Sequence, residues 1–185
     1  VSRNSPFGVD ARGQAVDGMT VGHRLMAAGE PELALKAYLR GAGETGNLIC
    51  KTLDRTGHAF VVLEKNELRV QELDLQDFKT DTPALAADAS NPDNLLLAGL
   101  THPKCRAVLA VTNDEEANLA VAIAVRLLNP SLAVIARGRT PSVTANMASF
   151  GTDHIINPFA RFAEHLALAV AAPERFRLIE LLTAL

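Results

Sequence analysis

Cysteine is scarce in this chain: only Cys50 and Cys105 occur among its 185 residues, and their separation matches no metal-binding spacing. We expect them to be buried, reduced thiols and not part of a disulfide framework. An excess of basic residues is also lacking, because 18 lysines and arginines stand against 21 aspartates and glutamates. A nucleic-acid partner is therefore not expected, since such proteins usually have a basic face.

Long apolar runs are absent as well. No run in the chain approaches the roughly 20 apolar residues of a membrane-spanning helix, so direct membrane insertion is not expected. The chain starts at Val1 and shows no signal peptide, which is consistent with a piece of a longer protein. Its composition, 48% hydrophobic and 21% charged, predicts a globular protein with one full domain, with or without a small appendage.

One short segment, residues 41–46, has the G-x-G-x-x-G pattern of a phosphate-binding turn. Its glycines allow a tight turn in which backbone N–H groups approach a pyrophosphate, and the helix after it directs its positive end at the same group. Eighteen residues after the last glycine, the apolar run 60–63 ends at Glu64, the second part of the dinucleotide fingerprint. The candidate cofactor-binding residues of the turn are Gly41, Ala42, Gly43, Glu44, Thr45 and Gly46.

Strand and helix patterns alternate along the chain. The predicted strands are 35–40, 59–64, 84–88, 106–111, 132–136 and 153–156. The predicted helices between them are 44–55, 66–73, 92–98, a helix that follows a cap at 112 or 113 and runs through 128, and 141–150. Strands separated by helices of this length give right-handed crossovers. The pattern therefore predicts an α/β fold, a Rossmann-like doubly wound parallel sheet of about six strands with C-terminal crossover or dimerisation helices.

The first predicted strand, 35–40, has two interpretations. It contains Lys36 and Arg40, which are unusual in a central parallel strand, and its residues also favour a helix. We favour the strand because the glycine turn that follows requires one as its platform.

Three segments follow from the pattern. Residues 1–34 are predicted to be a linker or a helical N-terminal extension, and 35–158 a Rossmann-type nucleotide-binding domain. Residues 159–185 are predicted to be a helical dimerisation tail, since two apolar helices, 159–171 and 176–185, follow a completed sheet. We expect their apolar faces to pack against a second subunit.

Glu64 is placed to accept hydrogen bonds from both hydroxyls of an adenosine ribose. Its charge would repel a 2′-phosphate, which favours NAD or another adenosine without that phosphate over NADP. Lys65 beside it could weaken this preference. The alternative for Glu64 is an ordinary surface acid at the end of a strand.

Polar residues follow three further strands, at the edge where open α/β sheets bind ligands. Asp88 could contact an adenine for which Ala89 leaves room, or it could be the N-cap of the next helix. Thr112 and Asn113 could contact the middle of the ligand, cap the helix after them, or do both. Arg137 could neutralise a phosphate through paired hydrogen bonds, or it could form a surface salt bridge.

The histidines indicate neither a metal site nor a catalytic set. They share no ligand spacing and have no acidic partner at catalytic spacing: His23, His58, His102, His154 and His165. No catalytic residue and no metal ligand is therefore predicted.

Six segments in order resemble one family, the RCK domain (regulator of potassium conductance), also called the Trk-type N-terminal or KTN domain. The segments are GAGETG (41–46), VLEK (62–65), ADAS (87–90), AVTNDEEAN (110–118), IAR (135–137) and GTDHIINP (151–158). The resemblance covers about residues 35–171, and the helix from Phe159 corresponds to the family's crossover helix, which packs on a partner.

The resemblance implies a cytosolic regulatory domain of a potassium channel or transporter, located at the inner face of the plasma membrane through its pore partner. The implied ligand is NAD(H) or another adenine nucleotide (ATP, ADP or AMP), and its binding would rearrange a homodimer or a larger ring without turnover. The family's nucleotide contacts fall here on Gly41 to Gly46, Glu64, Thr112, Asn113 and Arg137.

Two other functions stay open. An NAD-dependent oxidoreductase fragment would need a substrate domain and a proton-transfer residue, whereas only two apolar helices follow the sixth predicted strand. A nucleotide-free assembly platform is the second, because Arg40 directly before the glycines and the atypical segment 1–34 leave the first strand insecure.

Overall fold

The computed structural model describes residues 38–40, 44–79 and 82–183. The predicted N-terminal extension, 1–34, and the first three residues of the glycine turn, 41–43, lie outside these ranges. The described residues form two compact units, one that ends at Ile155 and one that begins at Ile156.

Six strands form one sheet in the order β3-β2-β1-β4-β5-β6. They are β1 (Tyr38–Arg40), β2 (Val61–Glu64), β3 (Ala84–Ala86), β4 (Ala107–Ala110), β5 (Ala133–Arg137) and β6 (His154–Ile156). The four pairings from β3 through β5 are parallel. This order is the Rossmann arrangement, which confirms the predicted fold class, and residues 38–40 form a central strand and not a helix.

Seven helices lie within the described residues: α1 (Glu44–Arg55), α2 (Glu67–Asp74), α3 (Pro92–Leu97), α4 (Glu115–Leu128), α5 (Pro141–Ser149), α6 (Pro158–Ala171) and α7 (Pro173–Thr183). The largest difference from the sequence prediction is at α7, which begins at Pro173 and not at Phe176. Proline is well accommodated in the first turn of a helix, where its missing N–H costs no internal hydrogen bond.

Short polar side chains mark where helices begin. Asn66 caps α2, as predicted, because its side chain accepts a hydrogen bond from the backbone N–H of Leu68 at 2.9 Å. Asn157 caps α6 in the same way, with the backbone N–H groups of Phe159 and Ala160 at 3.1 and 3.2 Å. Both side chains satisfy N–H groups that have no partner inside the helix.

Helix capping, the alternative interpretation of Asp88, Thr112 and Asn113, is wrong for all three residues. Asn91 caps α3 in place of Asp88, and Asp114 caps α4 in place of Thr112 and Asn113. A cap must directly precede the helix with an extended backbone, and Asp114 meets this condition with φ −89° and ψ 98°. The structure therefore removes capping as an explanation for the three residues that were predicted to do it.

The core lies in two layers, one on each face of the sheet, because successive strand residues point to opposite faces. The α1–α2 layer contains Cys50, Phe60, Val62 and Leu73, all buried. The α3–α5 layer is larger and includes Leu63, Leu95, Cys105, Val108, Val125 and Met147. Both faces of the sheet are covered by helices, which is the doubly wound arrangement. The two cysteines are buried and form no disulfide, as predicted, with one in each layer.

The second unit consists mainly of α6 and α7, which pack against each other. The Nε2 atom of His165 in α6 lies 3.0 Å from Oε1 of Glu180 in α7, and the ring centroids of His165 and Phe176 are 4.7 Å apart. None of the described helices is both long and apolar enough to cross a membrane. The role of this tail in dimerisation stays a prediction.

Candidate functional site

The strand order reverses between β1 and β4. Leu39 of β1 is paired with Val62 of β2 on one side and with Leu109 of β4 on the other. Chain segments that leave β1 and β4 run to opposite faces of such a sheet, so a crevice opens at the carboxyl ends of these strands, and open α/β sheets bind their ligands there. The predicted site residues end or follow the strands at this edge.

Glu64 is the last residue of β2, and only 6% of its surface is exposed. Its Oε1 atom accepts a hydrogen bond from the backbone N–H of Asn66 at 2.9 Å. A buried carboxylate is unfavourable unless hydrogen bonds compensate for its lost hydration. Glu64 is thus not an ordinary surface acid, since its carboxylate is held close to the crevice and largely out of solvent.

Asp88, two residues beyond β3, orders the loop around it. Its Oδ1 atom accepts hydrogen bonds from the backbone N–H of Ser90 at 2.9 Å and from the Ser90 hydroxyl at 2.6 Å. Its Oδ2 atom lies 3.6 Å from Nζ of Lys65, which is largely exposed, so this ion pair contributes little to stability. Ala89 is buried in the core.

Asn118 of α4 is the site residue that the sequence-based prediction missed. It is 0% exposed. Its side-chain oxygen accepts hydrogen bonds from the backbone N–H of Thr112 at 3.0 Å and from the Thr112 hydroxyl at 2.9 Å. Its side-chain nitrogen donates to the backbone oxygens of Thr112 at 3.0 Å and Arg137 at 2.9 Å. The sequence signal was a polar amide on the otherwise apolar buried face of α4.

Thr112, Asn113 and Arg137 are brought together at the ends of β4 and β5. The Nη1 atom of Arg137 donates to Oδ1 of Asn113 at 2.6 Å. The single hydrogen of the Thr112 hydroxyl is shared between Oδ1 of Asn118 and the backbone oxygen of Asp114, each at 2.9 Å, and the hydroxyl oxygen accepts from the backbone N–H of Asp114 at 3.1 Å. Three predicted ligand contacts therefore share one side of the crevice, and internal hydrogen bonds order all three.

Glu115, in the first turn of α4, holds the segment after β5. Its carboxylate accepts hydrogen bonds from the backbone N–H of Arg139 at 2.7 Å, the backbone N–H of Thr140 at 2.8 Å and the Thr140 hydroxyl. These hydrogen bonds, led by those from Thr140, lower the pKa of Glu115 from 4.5 to about 2. The carboxylate is therefore ionised throughout the neutral range.

Only part of the predicted glycine turn can be placed. Thr45 and Gly46 lie in the first turn of α1, with Thr45 exposed and Gly46 buried, and Glu44 begins that helix. The described ranges contain no group of three or more His, Cys, Asp or Glu side chains that could hold a metal ion.

The model of the TrkA-N domain family matches residues 38–158, about two thirds of the chain. The chain belongs to the TrkA-N family. This result confirms the resemblance inferred from the six sequence segments. The match begins at β1 and ends at the first residue of α6, so it includes all six strands of the described residues.

Named relatives of this TrkA-N domain include "Potassium channel protein 1" of Methanocaldococcus jannaschii, which is 22% identical over 144 residues. The aligned region is 78% of this chain and 42% of that relative. A Trk system potassium uptake protein TrkA homolog of Pyrococcus horikoshii is 26% identical over 103 residues, which are 56% of this chain and 43% of the relative. The chain thus spans less than half the length of either relative.

Solved structures share the fold at low identity. The TrkA-N domain of inner membrane protein ybaL from Escherichia coli has a TM-score of 0.65 and 21% identity, and the match covers 74% of this chain and 96% of that one. The GsuK channel bound to NAD has a TM-score of 0.60 and 16% identity, with coverage of 74% and 24%. The Kef CTD of Shewanella denitrificans in its AMP-bound form has a TM-score of 0.61 and 15% identity, with coverage of 80% and 91%.

The hydrogen bonds to Glu115 predict a pH-dependent contribution to the stability of the TrkA-N domain. Because the folded-state pKa, about 2, lies below the ordinary value of 4.5, the carboxylate stabilises the fold above pH 4.5 and loses this effect as the pH falls toward 2. We expect Glu115→Gln to have a lower urea midpoint than wild type at pH 7, and the two midpoints to converge toward pH 2. Urea unfolding followed by circular dichroism at several pH values measures both midpoints.

Glu116 provides the matched control, since it is an exposed acid in the same helical turn. Glu116→Gln removes the same charge and should leave the urea midpoint close to wild type at every pH. If the difference between the urea midpoints of Glu115→Gln and wild type stays constant from pH 7 to pH 2, the pH-dependent role of the Glu115 carboxylate is wrong.

Proposed function

We propose that this TrkA-N domain senses an adenine nucleotide and regulates a potassium channel or transporter. The ligand is NAD(H) or another adenine nucleotide, namely ATP, ADP or AMP. The observation that supports this most directly is the buried carboxylate of Glu64 at the end of β2, beside the point where the strand order reverses. Neighbouring structures of the same fold that are NAD-bound and AMP-bound add to the support.

The nucleoside would bind at the ends of β2 and β3. Its ribose hydroxyls would donate to the carboxylate of Glu64, and its adenine would lie near Asp88 and Ala89. A 2′-phosphate would bring two negative charges together at Glu64, so NADPH should bind more weakly than NADH. Lys65 offsets only part of this repulsion, because its ammonium group is exposed and lies 3.6 Å from Oδ2 of Asp88.

The phosphates would bind on the other side of the crevice. The N-terminus of α1, whose first turn contains Glu44, Thr45 and Gly46 of the glycine motif Gly41 to Gly46, would offer backbone N–H groups to an anion. Arg137 would supply the positive charge; Asn113 is hydrogen-bonded to its guanidinium, and Thr112 is linked to its backbone through Asn118. A bound phosphate would compete with Asn113 for the guanidinium of Arg137.

Regulation would work by a shift of population and not by turnover, and we assign no catalytic residue. The nucleotide would bind one arrangement of a homodimer or larger ring more tightly than another, and only this difference in affinity can move the gate. The partner would be a membrane-embedded potassium pathway, so the domain would lie in the cytoplasm at the inner face of the plasma membrane.

Nucleotides should raise the melting temperature of the wild-type protein, and Glu64→Ala should lose most of this shift. A ligand at about 100 times its Kd stabilises a folded protein by about 2.7 kcal/mol. Loss of hydrogen bonds to a charged carboxylate removes about 1.5–3 kcal/mol of binding free energy, so the shift should become small. Thermal unfolding with AMP, ADP, ATP, NADH and NADPH measures the effect.

Glu72→Ala is the control, since Glu72 is an exposed acid on α2 and its removal changes the net charge equally. This variant should keep the full nucleotide shift. The sensing function is wrong if no nucleotide stabilises wild type, and a larger shift with NADPH than with NADH would contradict the role of Glu64. Reduction of a nicotinamide by a metabolite in the presence of the protein would favour the oxidoreductase alternative.

We also propose that α6 forms the dimer interface. Its large apolar side chains repeat at intervals of three or four residues and form one stripe, each member more than half exposed: Phe159, Phe162, Leu166 and Val170. A stripe of this size on a soluble helix is typical of a surface that is covered by another protein. A second copy of the same helix could cover it by two-fold symmetry.

Charged residues on this stripe should convert a dimer into a monomer. Phe162→Glu combined with Leu166→Glu removes two apolar contacts per subunit, each worth about 1.5–3 kcal/mol when buried, and brings like charges together. Light scattering should give twice 19.7 kDa for wild type and 19.7 kDa for the double variant. Leu75→Glu, at an exposed leucine of the first unit, should leave the mass unchanged. A monomeric wild type, or a double variant that stays dimeric, would refute the interface.

A further inference from the structure

Helix α4 holds both ends of the segment 137–140. At one end, the side-chain nitrogen of Asn118 donates to the backbone oxygen of Arg137 at 2.9 Å. At the other end, the carboxylate of Glu115 accepts hydrogen bonds from the backbone N–H groups of Arg139 and Thr140 at 2.7 and 2.8 Å. The segment cannot move relative to α4 without breaking these bonds.

Asn118 also fixes the loop that follows β4. It makes three hydrogen bonds to Thr112, two of them to backbone groups, at 2.9 to 3.0 Å. One amide group therefore joins the end of β4 to the end of β5. Both of its donor hydrogens are used, and its oxygen accepts from the Thr112 N–H and shares the Thr112 hydroxyl hydrogen with the backbone oxygen of Asp114. Such a fully satisfied buried amide holds its partners in a single geometry.

We infer that Asn118 and Glu115 are positioning residues for the phosphate part of the nucleotide, and that they do not affect the nucleoside part. They act through Arg137, whose backbone position they set relative to Thr112. The inference deepens the proposed function and rests on it. The physical reason is pre-organisation: a charged group that is already in place for its ligand does not lose the free energy of being ordered on binding.

The two ends of the proposed site lie on different parts of the sheet, so the phosphate end can be disturbed without the nucleoside end. Glu64 ends β2 and Asp88 follows β3, and they are hydrogen-bonded to Asn66 and Ser90, which come two residues after them. Arg137 ends β5, on the other side of β1 and β4. A disturbance at the β4 and β5 ends should therefore lower affinity for a phosphate-bearing ligand and leave affinity for a nucleoside unchanged.

The test compares AMP with adenosine, which differ only in the phosphate. Isothermal titration for AMP and NMR titration for adenosine give the two Kd values for wild type, Asn118→Asp and Glu115→Gln. Asn118→Asp keeps the shape and the acceptor oxygen but places a carboxylate oxygen against the backbone oxygens of Thr112 and Arg137. We expect Asn118→Asp to weaken AMP binding by about tenfold and Glu115→Gln to weaken it by about threefold. Both effects lie within the range of coupling between residues that are in direct contact. Adenosine affinity should change by less than about twofold in both variants.

Two further variants separate positioning from general damage. Glu116→Gln, an equal loss of charge in the same exposed turn, should bind both ligands like wild type. In an Arg137→Met background, Asn118→Asp should cause no further loss of AMP affinity, because the group it positions is already gone. A purely structural role of Asn118 would instead weaken AMP in both backgrounds.

Each other result overturns the inference. An equal loss of AMP and adenosine affinity in Asn118→Asp assigns it a structural role only, and unchanged AMP affinity in both variants removes any role. If Asn118→Asp does not fold, Glu115→Gln alone decides, and an unchanged ratio of the two Kd values refutes positioning. A wild type that binds neither ligand refutes the proposed function and this inference together. If wild type binds both ligands and the variants do not behave as expected, only the inference fails and the proposed function stands.

Discussion

Replacing Arg126 by methionine should lower the free energy of unfolding by about 3 kcal/mol, the largest effect that we expect from any single polar side chain. The guanidinium donates from Nε to the backbone oxygen of Gly151 and from Nη1 to the backbone oxygens of Pro130 and Leu132, each at 2.8 Å. Its Nη2 atom donates to Oδ2 of Asp153 at 2.5 Å. Methionine keeps the apolar length of the side chain and removes all four hydrogen bonds.

The loss is large because Arg126 is the hydrogen-bond donor to Asp153 and to three backbone carbonyl groups, and all four lose it in the same substitution. The backbone N–H of Val134 and the charge of Arg126 hold the pKa of Asp153 below its usual value, so this carboxylate is ionised in the folded chain. Without Arg126 its charge is compensated mainly by that one backbone group. The urea midpoint of Arg126→Met should therefore fall, with an accompanying loss of roughly 10 °C in melting temperature.

Arg161→Met is the matched control, since Arg161 forms an exposed pair with Glu164 one turn away on α6. Exposed pairs of this kind contribute about 0.5 kcal/mol or less. Arg126→Lys should fall between wild type and Arg126→Met, because one ammonium group cannot reach four acceptors that lie on several sides. If Arg126→Met unfolds within about 0.5 kcal/mol of wild type, the hydrogen bonds do not have the assigned role.

Replacing Phe60 by alanine should cost about 4 kcal/mol of unfolding free energy, in the range measured for buried aromatic residues. Phe60 is 0% exposed and belongs to the α1–α2 layer of the core. Its ring meets Phe78 edge to face, with the centroids 5.8 Å apart and the planes at 83°. The layer is small, so its neighbours have little freedom to fill the space that the ring leaves.

Phe150→Ala is the control for Phe60, because Phe150 lies at the exposed end of α5. Its removal should cost about 1 kcal/mol or less. A double-mutant cycle of Phe60→Leu with Phe78→Leu should give a coupling of about 1 kcal/mol, from the edge-to-face contact alone. Equal costs for Phe60→Ala and Phe150→Ala would contradict the description of the layer.

The succession of strands and helices could be predicted from the sequence because it depends on local patterns. The strands predicted at 59–64 and 106–111 match β2 and β4 within one or two residues at each end. The first strand was the hardest, since Lys36 and Arg40 contradict the apolar pattern of a central strand. Only the requirement of the glycine turn favoured it, and residues 38–40 are indeed a strand.

The wrong caps show where local patterns stop being sufficient. In Thr112-Asn113-Asp114 each residue type is a good cap, and the choice depends on which backbone turns first into the helix. The structure gives this role to Asp114 and uses the Thr112 hydroxyl in hydrogen bonds to Asp114 and Asn118. Sequence alone cannot separate three equivalent side chains that compete for one position.

Asn118 was missed for a different reason. It lies 19 positions before Arg137, the residue whose backbone oxygen it binds, and no periodicity relates the two. Only the parallel pairing of β4 with β5 brings the two segments together. Single residues at the ends of strands, such as Glu64 and Arg137, could be predicted as site candidates, but the buried amide between two strand ends could not.

The two layers of the core each contain one cysteine, and the chain thus has a separate chemical reporter on each side of its sheet. Burial raises the pKa of the Cys50 thiol to about 12, so hardly any thiolate exists at neutral pH, and the thiolate is the form that alkylating reagents attack. Because both thiols are buried, a reagent can modify Cys50 or Cys105 only when the surrounding layer opens. The two modification rates therefore measure whether the α1–α2 side and the α3–α5 side open together or independently of each other.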